Sequence, residues 1–195
     1  DIKTFKKVYY NTLEMLISRN YVMNDFINKN KITEISDKEL LEKYETNNCR
    51  LNIQKPNNNF VSVFFFTSKI GINEIKNLFK IIKEDKINHC ILITKKKITS
   101  YAQKEMKILT KGIEKEIFFF DNLMINITKH NLVPKHVLLT KEESILFIKN
   151  IGKKIPYIKI NDPICKFYNG KIDQIFKIYR KNEIYYRIVV PTNII

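Results

Sequence analysis

The sequence predicts an α/β fold, with an N-terminal three-layer-like α/β domain followed by a small α+β domain. Two apolar, β-prone runs, residues 60–66 and 89–94, alternate with amphipathic helical patterns. Strand–helix alternation of this kind implies at least partly parallel strand pairing. Hydrophobic residues make up 44% of the chain, including 13 Phe and 10 Tyr, which is enough for a sizeable core.

The pattern of predicted secondary structure changes after Asp121. Upstream, strands and helices alternate, whereas downstream the chain shows short strands and strong helix-cap signals. We therefore expect a domain border between Asp121 and Ile125, with domains at 1–122 and 123–195 that fold separately.

Helices in the N-terminal part follow from apolar residues at three- and four-residue steps. The first two apolar stripes are Phe5, Tyr9, Leu13, Leu16 and Ile17, and then Ile72, Ile75, Leu78, Phe79 and Ile82. Ser36 to Glu39 is a capping-box pattern, which predicts a helix with Leu40, Leu41 and Tyr44 on its apolar side. Thr99 is expected to cap another helix that runs through Leu109.

The strands are expected at 51–53, 60–66, 89–94 and 116–120, with a loop at 56–59. In the C-terminal part we expect a short extended segment at 122–128 and a helix capped by Thr140 that ends near Asn150. Asp162 followed by Pro163 is typical of a helix start. Residues 175–179 and 184–190 are expected to form a hairpin across 181–183.

The formal net charge of +15 attracts polyanions and favours a nucleic-acid partner. Lysine outnumbers arginine 31 to 4, which favours attraction to the phosphate backbone over reading of base edges. The alternative explanation is base composition, because Lys, Ile and Asn are the residues that an AT-rich genome encodes by default. No apolar run approaches the roughly 20 residues of a membrane span, so we expect a soluble, intracellular protein.

No catalytic or metal site is predicted. Cys49, Cys90 and Cys165 are far apart, a spacing that argues against both a disulfide framework and a structural zinc site. We expect His89 to be a structural histidine at the start of a buried strand. Phosphate-binding glycine loops and nucleophile motifs are absent, and we expect no cofactor.

One enzymatic hypothesis is a metal-dependent nuclease, because Glu74 and Lys76 have the Glu-x-Lys spacing found in such enzymes. The pair falls inside an amphipathic helix pattern, however, and the predicted buried strands carry no Asp to hold a metal. The nuclease hypothesis is therefore weak.

The residues from Asn126 to Val137 read NITKHNLVPKHV, which closely resembles the segment NITxHxLVPxH of subunit 5 shared by eukaryotic RNA polymerases I, II and III. The archaeal polymerase has a smaller counterpart of that subunit. Further matches follow in order up to Arg187: a helix start at Thr140, Asp162-Pro163, the run QIFKIYR ending at Arg180, and Tyr186-Arg187.

The N-terminal part resembles the same family more loosely. Arg19-Asn20-Tyr21 stands where the family has RGY, and residues 63–72 resemble its VFFxxxxxVGI segment. Thr99 to Ala102 lies at the family's TPSA position, with Ser100 and Tyr101 replacing Pro and Ser. The archaeal counterpart is only the C-terminal domain, so this chain resembles the eukaryotic form.

Several departures from the family pattern, together with the Lys, Ile and Asn bias, suggest a homologue from a large cytoplasmic DNA virus. The expected location is then the virion and the host cytoplasm. The alternative is a nuclear subunit from an AT-rich eukaryote.

The alternative function is that of a stand-alone DNA-binding protein that tolerates any DNA sequence.

The resemblance implies a non-catalytic subunit whose N-terminal domain belongs to the polymerase's lower jaw near downstream double-stranded DNA. Its C-terminal domain would anchor to the largest subunit and contact neighbouring small subunits. The expected interface residues are Asn126, His130, Leu132, Val133, Pro134, His136, Asp162, Pro163, Tyr179, Arg180, Tyr186 and Arg187. Ile178, Tyr179, Ile184, Tyr185 and Tyr186 are a candidate docking cluster, with an ordinary hairpin core as the alternative.

The expected DNA-proximal residues are Lys95, Lys96, Lys97, Thr99, Ser100 and Tyr101. Two arguments support them: the lysines follow a buried strand, at the edge where α/β folds place ligand-binding loops, and the loop matches the TPSA position. The hydroxyls can donate to phosphate oxygens and Tyr101 can pack on a sugar. The alternative is a solvated lysine run.

Overall fold

The computed structural model describes residues 1–21, 27–28, 31–32, 35–46, 49–55, 60–152, 154–181 and 183–193. The chain forms two compact units, Asp1–Ile125 and Asn126–Ile195. Each contains a mixed four-stranded sheet with helices, which confirms the predicted α/β class. No helix in the described ranges has the length and apolar character needed to cross a bilayer.

The N-terminal unit contains five described helices and six described strands. The helices are α1 (Ile2–Ser18), α2 (Asp37–Glu45), α3 (Ile72–Glu84), α4 (Ser100–Leu109) and α5 (Phe120–Leu123). The strands are β1 (Ile27–Asn28), β2 (Lys31–Ile32), β3 (Cys49–Gln54), β4 (Phe60–Phe66), β5 (His89–Thr94) and β6 (Glu114–Phe119).

The main sheet of this unit has the strand order β3-β4-β5-β6. Strands β4, β5 and β6 are parallel and β3 joins β4 antiparallel, so the predicted parallel pairing is confirmed. β1 and β2 form a separate antiparallel pair.

The sheet is covered on both faces, which gives three layers. Phe64 belongs to the core shared with α3 and α4, whereas the Phe65 ring lies 5.7 Å from the Phe5 ring of α1. Successive residues of a strand point to opposite faces, so α1 and the α3–α4 pair lie on opposite sides of the sheet. This explains why both faces of β5 are buried over its whole length.

Most predicted elements of the N-terminal unit are confirmed, with two local corrections. Leu40 is fully buried in α2, but Leu41, which was expected on the same apolar side, is 41% exposed. The strand expected to end at Phe120 ends at Phe119, because α5 begins at Phe120. The loop expected at 56–59 lies outside the described residues.

The extended segment expected at 122–128 is wrong. Its first part completes α5, and Ile127–Lys129 forms a 3-10 turn. Two asparagine side chains stabilise these turns: Phe119 N donates to Asn122 Oδ1 at 2.9 Å, and Thr128 N donates to Asn126 Oδ1 at 3.0 Å. Asparagine side chains favour such local hydrogen bonds over strand pairing. The extended segment was predicted because Ile125 and Ile127 are β-prone residues.

The C-terminal unit consists of the 3-10 turn, two helices and four strands. These are β7 (Lys135–Leu138), α6 (Lys141–Ile151), β8 (Tyr157–Lys159), α7 (Pro163–Phe167), β9 (Ile175–Arg180) and β10 (Glu183–Val190). The sheet order is β7-β9-β10-β8, with β8 parallel to β10 and the other pairs antiparallel. The predicted hairpin is confirmed as β9–β10, whereas β7 and β8 were not predicted because each is only three or four residues long.

Both helix starts predicted in this unit are confirmed. Thr140 Oγ1 accepts from Glu143 N at 3.2 Å, and Glu143 Oε2 accepts from Thr140 N at 2.8 Å, a complete capping box. Asp162 Oδ1 accepts from Ile164 N at 2.8 Å, with Pro163 in the first helical turn of α7.

Candidate nucleic-acid and subunit interfaces

The segment from Lys95 to Tyr101 joins the end of β5 to α4 and is anchored at three points. Lys95 N donates to Phe66 O at 2.9 Å, and Thr99 N donates to Ile70 O at 3.3 Å. Between them, Ile98 is buried in the core under α3 and α4. The backbone of this loop is therefore held by neighbouring elements while its polar side chains face outward.

The three lysines of the loop are exposed, but they are not equivalent. Lys95 Nζ lies 3.2 Å from the Tyr44 hydroxyl and 5.5 Å from the centre of that ring, so α2 holds its ammonium group. No described carboxylate lies within ion-pair distance of Lys96 or Lys97. Two positive charges are therefore not neutralised by this part of the chain, and Tyr44 is a residue that the sequence did not connect to the loop.

The start of α4 presents the other expected residues. Thr99 Oγ1 accepts from Ala102 N at 3.2 Å, so this side chain caps the helix. Ser100 is exposed, and Tyr101 is 74% exposed. Together with the lysines, these groups form a surface that can attract a phosphate backbone, donate hydroxyl hydrogen bonds to it and pack a ring on a sugar.

In the C-terminal unit, several expected interface residues stabilise the unit itself. Asn126 is buried and caps the 3-10 turn, and Asp162 with Pro163 begins α7. Val133 packs against the core formed by Ile158, Ile164, Cys165, Phe176, Ile178 and Val189. The motif that carries the resemblance therefore contains residues that build the unit.

The two histidines of the motif differ in their surroundings. His130 is exposed, and its Nδ1 accepts from Leu132 N at 3.3 Å. His136 is half-buried: its Nδ1 lies 2.7 Å from Pro134 O, and its ring meets the Phe176 ring edge-on at 6.0 Å. Burial lowers the pKa of His136 from its ordinary value.

The expected interface residues on the hairpin include both packed and exposed side chains. Tyr186 packs against Phe147 of α6 with ring centres 4.4 Å apart and ring planes tilted by 38°, and Arg187 Nη1 donates to Tyr157 O at 3.4 Å. Arg180 is exposed and lies 5.2 Å over the Tyr185 ring. On the hairpin, Tyr186 therefore packs against the unit itself, whereas Tyr185 and the guanidinium of Arg180 are exposed.

An open groove of about 730 Å³ lies beside the hairpin tip. Its lining residues are Asn131, Leu132, Pro134, Tyr179, Arg180, Lys181, Glu183 and Tyr185. Leu132, which is 86% exposed, is the most exposed large hydrophobic residue of the described chain. The structure thus brings the loop of the motif and the hairpin tip, which are about 50 residues apart in sequence, to one place.

The candidate docking cluster on the hairpin divides into a packed group, Ile178 and Tyr186, and an exposed group, Tyr179, Ile184 and Tyr185. Ile178 is 1% exposed and belongs to the core, as the hairpin-core alternative requires. Tyr179, Ile184 and Tyr185 are 39%, 49% and 43% exposed. Only the second group is available for a partner.

A buried ionic cluster in the N-terminal unit was missed by the sequence analysis. Glu116 of β6 accepts two hydrogen bonds from Arg19 at 2.8 Å each, and its Oε1 lies 2.9 Å from His89 Nε2. The side chains of Arg19 and Glu116 are only 3% and 10% exposed. The available signal was a carboxylate, Glu116, at the start of the strand predicted at 116–120. His89 is thus a structural histidine, as expected.

Glu116 remains ionised inside this cluster. Burial raises its pKa, but the Arg19 charge and the hydrogen bonds from His89 and Arg19 outweigh burial, so the pKa lies below its ordinary value. The described residues contain no group of three His, Cys, Asp or Glu side chains that could hold a metal ion. Burial raises the pKa of the thiols of Cys49, Cys90 and Cys165 to about 12, 11 and 12, so these thiols are poor nucleophiles.

The nuclease hypothesis receives no support from the position of Glu74. Its Oε2 accepts from Gly71 N at 2.8 Å at the start of α3, so the carboxylate acts as a helix cap. Lys76 is exposed on the same helix.

Comparison with known proteins identifies relatives along most of the chain. The family described as RNA polymerase Rpb5, C-terminal domain, matches residues 125–190. Subunit rpabc1 of DNA-directed RNA polymerases I, II and III from Dictyostelium discoideum is 30% identical over 188 residues, covering 94% of this chain and 93% of the relative. Subunit 5A of RNA polymerase V from Arabidopsis thaliana is 31% identical over 126 residues, covering 63% of this chain and 56% of the relative. The Caenorhabditis elegans subunit RPABC1 is 32% identical over 131 residues, covering 63% of this chain and 62% of the relative.

These matches, which span both units of the fold, show that the protein is a non-catalytic subunit of a DNA-directed RNA polymerase. More particularly, the chain belongs to the subunit 5 family of eukaryotic RNA polymerases.

Proposed function

We propose that the N-terminal unit forms part of the lower jaw of the polymerase, with the loop from Lys95 to Tyr101 facing the downstream duplex. The observation that carries this proposal is the pair of exposed lysines, Lys96 and Lys97, without a described carboxylate partner. A moving duplex must be held without regard to its sequence. Lysine supplies this hold because it attracts phosphates as a point charge and lacks the fork with which arginine reads guanine.

The C-terminal unit anchors the chain to the largest subunit and contacts neighbouring small subunits. The supporting observation is the open groove between the motif loop and the hairpin tip, with Leu132 almost fully exposed beside Tyr179 and Tyr185. Interfaces are enriched in tyrosine and arginine, and Arg180 lies in the same groove. An exposed leucine next to aromatic rings favours a protein partner.

The test for the jaw is a site-specific crosslink. A photoreactive residue placed at Tyr101 in an assembled elongation complex is expected to crosslink to downstream duplex DNA. The same group placed at Ile172, which is 50% exposed in the C-terminal unit, is the control and should give no such crosslink. An absence of crosslinks from Tyr101 in an active complex would overturn the jaw assignment.

The test for anchoring is co-purification. Tagged chain isolated from its native source should bring down the two large polymerase subunits, and Leu132→Asp should reduce their recovery while the isolated variant remains folded. Recovery of a lone monomer from the wild-type chain would instead favour a stand-alone DNA-binding protein.

We also propose that the chain is the subunit of a large cytoplasmic DNA virus, with the virion and host cytoplasm as its location and the nucleus as the alternative. The support is the Lys, Ile and Asn bias and the departures from the family pattern at Ser100 and Tyr101. Mass spectrometry of purified virions and of host nuclei would test this.

A further inference from the structure

One face of the C-terminal sheet carries an ordered set of six side chains, here called the Tyr–Lys face. The strand register gives two rows across β7, β9 and β10: Lys135, Tyr179 and Ile184, then Val137, Lys177 and Tyr186. Residues paired across antiparallel strands point to the same face with their Cβ atoms about 5 Å apart. The two rows are about 7 Å apart, because they are separated by two residues along each strand.

The helix α6 covers the third row of this face, Ile175 and Ile188, and the Tyr186 end of the second row. Ile175 and Ile188 are buried in the core that includes Phe147 and Ile148 of α6. Coverage reaches as far as Tyr186, which packs against Phe147. Beyond it, Tyr179 and Ile184 remain 39% and 49% exposed.

Two cations share one aromatic ring on this face. Lys135 Nζ and Lys177 Nζ lie 5.8 Å and 5.2 Å from the centre of the Tyr179 ring. Each contact between an ammonium group and an exposed ring is weak, and the two ammonium groups repel each other. The ring therefore holds both lysines in place without neutralising them.

The Tyr–Lys face itself contains no carboxylate, since none of its six residues is Asp or Glu. Glu183 pairs with Arg180 in the register and so points to the opposite face, where its carboxylate accepts from the Tyr185 hydroxyl. On α6, the Glu143 carboxylate accepts from Thr140 N as a helix cap. The positive charge of this face is thus available to a partner from outside the chain.

We propose that the Tyr–Lys face binds a protein segment that is both acidic and apolar, with carboxylates at Lys135 and Lys177 and apolar side chains on Tyr179 and Ile184. This inference rests on the proposed anchoring function and names the chemistry of the partner surface. Opposite charges steer association and reject wrong partners, while the apolar contacts supply the buried area.

A nucleic acid suits this face less well than a protein does. Single strands bind by stacking bases on free aromatic faces, but two ammonium groups lie 5.8 Å and 5.2 Å from the centre of the Tyr179 ring, and the Tyr186 ring packs against Phe147. The remaining exposed apolar contact is aliphatic, from Ile184, with Val137 half-buried beside it, and such contacts favour protein side chains.

Zero-length carbodiimide crosslinking of the purified polymerase tests the proposal, because this reagent joins lysines only to carboxylates in direct contact. Lys135 or Lys177 is expected to be joined to an Asp or Glu of another subunit. Lys80 and Glu84, which lie 3.8 Å apart, are the internal positive control. A complex in which Lys80 links to Glu84 but neither face lysine links to another subunit would overturn the proposal, as would release of the chain by nuclease treatment.

Variants separate this inference from the anchoring function on which it rests. The double reversal Lys135→Glu/Lys177→Glu is expected to weaken retention in the polymerase about 100-fold, and the double Gln variant roughly tenfold. Lys141→Glu/Lys149→Glu, two exposed lysines of α6, changes the net charge equally and should have no effect. If Leu132→Asp releases the chain but the face reversal does not, only this inference fails; if neither releases it, anchoring fails too.

Discussion

Arg19, just after the end of α1, donates two hydrogen bonds of 2.8 Å to the two carboxylate oxygens of Glu116 in β6. Both side chains are almost fully buried. The pair joins the first helix of the chain to the last strand of the N-terminal sheet across 97 residues. A bidentate ion pair constrains the relative orientation of its two side chains as well as their distance. The pair therefore fixes the position of the C-terminal end of α1 relative to β6.

Replacing Glu116 by Gln is expected to lower the free energy of unfolding by about 3–5 kcal/mol, because Arg19 would be left buried without a counter-charge. Urea unfolding followed by circular dichroism measures this loss. Lys80→Gln is the matched control: it breaks an exposed ion pair and should cost about 0–1 kcal/mol. Equal losses in the two variants would show that the buried pair contributes no more than a surface pair.

Acid should reduce the advantage of wild type over Glu116→Gln. The folded-state pKa of Glu116 lies below its ordinary value of 4.5, so its contribution is complete above that value and is lost as pH falls through the folded pKa. Urea unfolding of both proteins between about pH 5 and pH 3 should show the difference in unfolding free energy shrinking. A difference that stays constant or grows over that range would contradict a lowered pKa.

Neutralising Lys95, Lys96 and Lys97 together to Gln should weaken binding of the assembled polymerase to downstream duplex equally for any sequence. Each lost phosphate contact should reduce the slope of log affinity against log salt by about 0.9. Lys76, Lys80 and Lys83, which are exposed on α3, provide a control triple with the same change of charge. An unchanged salt slope in the loop triple would mean that these lysines do not touch DNA.

Mild thermolysin treatment is expected to cut first near Ile125, which is 68% exposed, and to leave a C-terminal fragment of roughly 70 residues. The physical reason is that Leu123 and Asn126 are buried, whereas the side chain of Ile125 between them is exposed to the protease. Mass spectrometry of the first products locates the cut. A first cut inside α6 would contradict the predicted border between Asp121 and Ile125, which stays a prediction until then.

Much of the fold was predicted because it depends on local signals. Thr140, Ser36 and Asp162 begin helices as expected, since a cap needs only a side-chain oxygen two or three residues before the N–H that it accepts from. The strand β5 was predicted to the residue, because a continuous apolar run is the direct consequence of burial on both faces. The turns around Asn122 and Asn126 were missed, although their signal was also local.

The two candidate surfaces were predictable to different degrees. The lysine loop was identified in sequence because its residues are consecutive, but the hold of Tyr44 on Lys95 was not, since 51 residues separate them. The Tyr–Lys face depends on the register of three strands, of which β7 was not predicted at all.

The sequence by itself determined the α/β class, the helix starts, the hairpin and the family resemblance, all of which are carried by residues near one another in the chain. The tertiary structure alone decided that Glu116 is a buried ion rather than a solvated one. It also decided that Ile178 packs inside while Tyr179, its neighbour, remains exposed beneath two lysines. The physical reason is that charge pairing and burial depend on which distant segments meet, and no single stretch of sequence contains that information.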